Sequence, residues 1–141
     1  MITRDDLESY LIRMDLDLQE VEESMWVLKS GDDGIAPVVV NYAPPVVLLR
    51  IKVMDLPRPA DDTRLATFYR RMLELNATDI VHGSYGIEGE EVVLSDALEL
   101  ETLDFAELQS SYESLSMAAA TQVPELASII EQGAAAPAEQ G

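Results

Sequence analysis

The sequence has no cysteine, one histidine (His82), one tryptophan (Trp26) and two lysines (Lys29 and Lys52). Without cysteine there is neither a disulfide framework nor a thiolate metal site, and the redox character of the compartment leaves no mark on the chain. A lone histidine excludes a His-rich zinc site and leaves His82 as the sole possible base of a Ser-His-Asp relay. Long apolar runs are missing too. The longest, from Pro44 to Ile51 and its neighbours, is interrupted by Arg50 and Lys52, well short of the ~20 residues that a membrane helix needs. The opening Met-Ile-Thr-Arg-Asp-Asp has no basic stretch followed by an apolar one, so no secretory signal is expected and the cytoplasm is the expected location. Bases end at Arg71, and every charged residue beyond it is an acid.

What is present is carboxylate: 27 acids against 9 bases, a formal net charge of −18. Such a surface repels nucleic acid and anionic lipid, because phosphate recognition depends on Lys and Arg, and it favours basic partners. Adaptation to a salty cytoplasm would produce the same imbalance without any functional meaning. At 141 residues the chain fits one domain, able to bury on the order of 70% of what its unfolded form exposes.

Thr3 is a good N-cap, with Asp6 as its capping-box partner and Ile2 and Leu7 placed as a hydrophobic staple. Leu7, Tyr10, Leu11 and Met14 follow at helical spacing and predict a helix over residues 4–14. Val21 to Lys29 predicts a strand closed by the turn Ser30-Gly31-Asp32-Asp33-Gly34. Val38 to Tyr42 predicts a second, ended by Pro44-Pro45 because proline cannot donate to a ladder. Val46 to Met54 predicts a third, with Val47, Leu49, Ile51 and Val53 on an apolar face and Arg50 and Lys52 on the other. Pro57 and Pro59 break the chain. Asp61 or Asp62 then caps a helix of Leu65, Phe68, Tyr69, Met72 and Leu75 that ends near Asn76.

Val81 to Ile87 and Glu91 to Leu98 predict two more strands, joined at Glu88-Gly89-Glu90. Asp104 caps a third helix of Phe105, Leu108, Tyr112, Leu115 and Ala119, which Pro124 should bend or restart before Leu126, Ile129 and Ile130. Residues 1–132 make one domain, and 133–141, without an apolar anchor, read as a flexible tail. The order is α-β-β-β-α-β-β-α. Strands that arrive as hairpins favour an α+β fold, an antiparallel sheet of about five strands with three helices packed on it.

Three short stretches add a resemblance: Leu73-Glu74-Leu75-Asn76 closing the second helix, His82 to Leu94 across the second hairpin, and Leu103-Asp104-Phe105 opening the third helix. With the element order, they make residues 1–122 resemble the class I type III secretion chaperones of the CesT or Tir-chaperone type, and the related YbjN family. The resemblance implies a homodimer that binds an extended segment of another protein, as a chaperone-like or regulatory adaptor, with no catalytic residues and no cofactor.

Other sites fare poorly. His82 reads as a structural strand residue. Glu88, Glu90 and Glu91, and Asp32 and Asp33, lack the spacing of a calcium loop, and Gly83, Gly86 and Gly89 lack the lysine and helix start of a phosphate loop, so no metal or cofactor is expected. The sharpest cluster is cationic: Arg50, Lys52, Arg58, Arg64, Arg70 and Arg71 gather in mid-chain. From it, Arg50, Lys52, Arg64 and Arg71, with Tyr69 and Met72 as interface-type neighbours, make a candidate patch for docking a partner protein. Pairing with the chain's own acids is the plainer explanation, and each exposed pair would contribute little. Met25, Trp26 and Met54 could extend the apolar surface or simply pack the core. A non-enzymatic protein-binding module is the expected function, and a small-ligand sensor with a cavity between sheet and helices is the alternative. An enzyme is not expected, since no nucleophile, base and oxyanion donor can be assembled.

Overall fold

A computed structural model describes residues 1–31, 36–56, 61–78, 80 and 82–140, with side chains to Glu131. Helix α1 (Arg4–Arg13) starts where the capping signal puts it: Asp6 N–H donates to Thr3 Oγ1 at 3.1 Å and Thr3 N–H donates back to Asp6 Oδ2 at 2.9 Å. It buries Leu7 and Leu11 completely. Helix α2 (Asp62–Thr78) is capped by Asp61, whose Oδ1 accepts from Arg64 N–H, and α3 (Phe105–Gln140) by Asp104, whose Oδ1 accepts from Glu107 N–H.

Among the described residues the order is α-β-β-β-β-α-β-β-α: six strands, β1 (Asp17–Glu22), β2 (Met25–Lys29), β3 (Val38–Ala43), β4 (Val46–Asp55), β5 (Ser84–Glu88) and β6 (Glu91–Glu99), with α2 between β4 and β5. They form one fully antiparallel sheet in the order β1-β2-β3-β4-β6-β5. The α+β class and the antiparallel sheet are as expected, with one strand more. The extra strand is β1, which takes in Val21 and Glu22 from the start of the strand expected over Val21 to Lys29, so that β2 begins only at Met25. The β1 sequence, Asp-Leu-Gln-Glu-Val-Glu, carries little β-preference, and its turn into β2 bends at Ser24 with φ +63° where no glycine or asparagine marks it.

The register puts Trp26, Val40, Leu49 and Asp96 in one row across the sheet and Leu28 with Val38, and Ile51 with Leu94 and Tyr85, in the next. This face meets the helices. Trp26, Leu28, Val38, Val40, Val47 and Leu49 are fully buried there, with Phe68 and Leu75 of α2 and Leu108 and Leu115 of α3, each such side chain contributing roughly 1.5–3 kcal/mol. Helix α1 lies over β2, where Trp26 Nε1–H donates to Glu8 Oε2 at 3.1 Å and the Arg4 guanidinium sits 4.9 Å above the indole. Helix α3 crosses β4 and β6, and the buried Ser111 hydroxyl donates to Asp96 Oδ2 at 2.7 Å. Val53 is the extra residue of a β-bulge, since Lys52 pairs with Val93 and Met54 with Val92.

Two further expectations change. Pro124 does not restart the third helix, which runs as one element to Gln140. The missing N–H removes only the bond to the Ala120 carbonyl, while apolar residues on both sides of it, Leu115 and Ala119 before and Leu126 after, are buried in the same core. His82 lies in a bend ahead of β5, half-buried, rather than in a strand. Arg58, Asp32 and Asp33 lie outside the described residues.

Candidate protein-interaction surfaces

The alternation that buries Val47, Leu49 and Ile51 turns Leu48, Arg50 and Lys52 to the opposite face of β4. The three helices pack on the other side, so among the described residues no helix covers this face. Its rows are Gln19, Val27, Val39, Arg50, Ser95 and Ser84 in one, and Met25, Asn41, Leu48 and Ala97 in the next. Val39, Asn41, Leu48, Arg50, Glu88 and Ser95 line a shallow depression of about 230 Å³, with Leu48 38% exposed at its floor. Arg50 Nη1 donates to both oxygens of Glu88 at 2.6 Å, closing one side of the depression.

The six residues read as a docking patch therefore fall on two sides of the sheet. Arg50 and Lys52 stand on the face away from the helices, whereas Arg64, Tyr69, Arg71 and Met72 belong to α2 in the helix layer. Met72 is only 5% exposed and Tyr69 packs edge-on against Phe68 with ring centroids 6.0 Å apart. The cations are matched within the chain. Lys52 pairs with Asp55 and Glu91, both at 3.0 Å, and these carboxylates raise its pKa. Arg64 pairs with Asp61 at 3.0 Å, Arg70 with Glu74 at 3.6 Å, and Arg71 with Glu74 at 3.7 Å and with Glu125. These exposed pairs add little stability each, but they leave the acids as the dominant surface charge.

A second apolar surface borders α2 and β5. Leu73 is 68% exposed and Ile87 46%. Asn76, one helical turn beyond Leu73, is tied to Tyr85, two residues before Ile87: Tyr85 N–H donates to Asn76 Oδ1 at 2.7 Å, and Asn76 Nδ2 donates to the Tyr85 carbonyl at 3.2 Å. The tyrosine's hydroxyl donates to Gln122 Oε1 of α3 at 2.8 Å. Burial, with the nearby Glu125 charge, pushes the Tyr85 phenol up to about 12. Helices α2 and α3 and strand β5 are thus locked together beneath this border. Neither Leu73 nor Ile87 stands out in the sequence, where both fit ordinary amphipathic patterns; only the packing shows that they face outward.

This is the α+β architecture of the type III secretion chaperones, with three helices on one face of an antiparallel sheet. The complex ExoU-SpcU from the type III secretion system of Pseudomonas aeruginosa superposes with a TM-score of 0.66 at 13% identity, covering 89% of this chain and 98% of that one. YbjN from E. coli gives 0.64 at 11% identity, over 88% and 93%. The HopA1-SchA chaperone-effector complex gives 0.56 at 12%, over 84% and 95%. Residues 2–132 match the family CesT_Tir_1, and the chain belongs to that family. No curated protein matches the sequence.

Proposed function

We propose that this protein is a non-enzymatic chaperone-like or adaptor module that works in the cytoplasm as a homodimer and holds a segment of a partner protein. The observation that carries this reading is the helix-free face of the sheet. Its centre, with Val27, Val39 and Leu48, is apolar where a solvated antiparallel sheet is ordinarily polar. Arg50 and Lys52 stand beside it and would orient a partner by exchanging their contacts with Glu88, Asp55 and Glu91 for a carboxylate of the bound segment. The membership in a chaperone family and the effector complexes formed by similar folds support the same reading.

The second copy is assigned to the other apolar border, Leu73 and Ile87 with Tyr69, and Arg64 and Arg71 on the same helix. Met72 contributes from the core by fixing α2. A small-ligand sensor has less support: the groove between β4 and α3, lined by Ile51, Val53, Ala119 and Val123, holds only about 160 Å³, whereas ligand sites commonly hold about 300–1,000 Å³.

Light scattering after size exclusion tests the assembly. The native chain is expected at twice the chain mass at both low and high salt, and Leu73→Asp with Ile87→Asp is expected at the chain mass with an unchanged circular dichroism spectrum. A native protein that stays monomeric at all concentrations overturns the homodimer.

A further inference from the structure

At one place on the helix-free face, hydrogen-bond donors gather with few acceptors to meet them. Arg50 reaches Glu88 through Nη1 alone, with both carboxylate oxygens 2.6 Å from that one nitrogen. A guanidinium carries five N–H donors in a planar fork, shaped for two parallel bonds to one carboxylate. Among the described residues Nε and Nη2 of Arg50 bond nothing, so the charge is matched while the fork stays open. The side chains of Asn41 and Ser95, which line the same depression, are likewise without a hydrogen-bond partner among the described residues.

The register sets these groups around an apolar floor. Val39 and Ser95 flank Arg50 on the neighbouring strands, and Asn41 and Ala97 flank Leu48 one row along. Leu48 and Val39 suit apolar side chains, and the open edge of Arg50 suits an acceptor with two oxygens. Glu88 fills that role imperfectly: it stands exposed at the end of edge strand β5, where it can turn into water at little cost. Lys52, by contrast, is already engaged by two carboxylates, Asp55 and Glu91. The net charge of −18 repels a segment rich in acids. The carboxylate that fits is therefore a single one, set among apolar and neutral or basic residues.

We infer that Glu88 holds the place of a partner's carboxylate: the fork of Arg50, with Asn41 and Ser95 beside it, recognises an isolated Asp or Glu flanked by apolar residues, and Glu88 turns aside when that residue arrives. The inference rests on the partner-binding reading above and supplies the chemistry of the bound segment.

The test is titration of the isotope-labelled full chain, at ~0.15 M salt to screen the net charge, with two end-blocked nonapeptides of alternating leucine and threonine, one carrying a central aspartate and the other asparagine. Blocked ends remove terminal carboxylates as a source of binding. The aspartate peptide is expected to move the side-chain signals of Arg50 Nε–H and Asn41 Nδ2–H and the backbone amides of Val39, Leu48 and Ser95, and to bind about tenfold more tightly than the asparagine peptide. Glu88→Gln removes the competitor and should tighten binding of the aspartate peptide about threefold, with no change for the asparagine peptide. Arg50→Gln should abolish the preference with an unchanged circular dichroism spectrum. Equal binding of the two peptides on this face, or a Glu88→Gln variant that binds the aspartate peptide no better, overturns the inference and leaves the partner-binding reading in place. Absence of shifts on this face with either peptide overturns the inference together with the place assigned to the partner.

Discussion

Among the described glycines, Gly83 is the one hemmed in by its neighbours. Its φ is +83°, and a Cβ placed there would stand 2.5 Å from the Ser95 carbonyl oxygen and 2.9 Å from Leu115 Cδ2. Gly83→Ala is accordingly expected to lower unfolding stability by roughly 3 kcal/mol, read from the urea midpoint. Two residues on, the Tyr85 phenol has its pKa raised from 10.0 to about 12 by burial. In the unfolded chain it ionises first, so the unfolded state holds fewer protons between these values and stability falls as pH rises from 10 towards 12. The loss attributable to this group is on the order of 2–3 kcal/mol. Comparing native protein with Tyr85→Phe across that range isolates it, and the phenylalanine variant should show a flatter profile.

Elements were unequally legible in the sequence. Helix starts at Thr3, at Asp61 or Asp62, and at Asp104 were readable because a cap is a local device, one side chain bonding a backbone N–H three residues on, and the structure gives the second to Asp61. The inner face of β4 was readable from its period of two. Strand β1 was not, because an exposed acidic edge strand is held by its pairing with β2 and the contacts of α1, neither of which is written in its own residues. The docking patch was legible only as a list of cations: a linear sequence cannot show that Arg50 and Arg71 lie on opposite sides of a sheet, each with an acid beside it. Asn76 was visible as the end of a helix but not as the partner of the Tyr85 backbone. Asn76→Ala leaves the Tyr85 N–H without its partner and should cost about 1–3 kcal/mol, measured by thermal unfolding. Pro124 sits within a helix that continues past it, so Pro124→Ala restores a donor for the Ala120 carbonyl and is expected to raise Tm.

At the scale of the whole molecule the net charge of −18 opposes compactness. The surface ion pairs are too exposed to offset it, so self-repulsion outweighs pairing. Adding salt to ~0.15 M, where the screening length is about 8 Å, should therefore raise Tm rather than lower it. A fall in Tm over the same range in calorimetry would mean that the pairs dominate.

The placement of Trp26 has a practical consequence. As the sole indole, fully buried on β2, bonded to Glu8 and covered by Arg4, it reports on one joint of the molecule, the seat of α1 on the sheet. Its emission is an intrinsic optical gauge. A red shift without loss of helical signal would mark α1 lifting from β2 while the rest of the chain holds, with no label added.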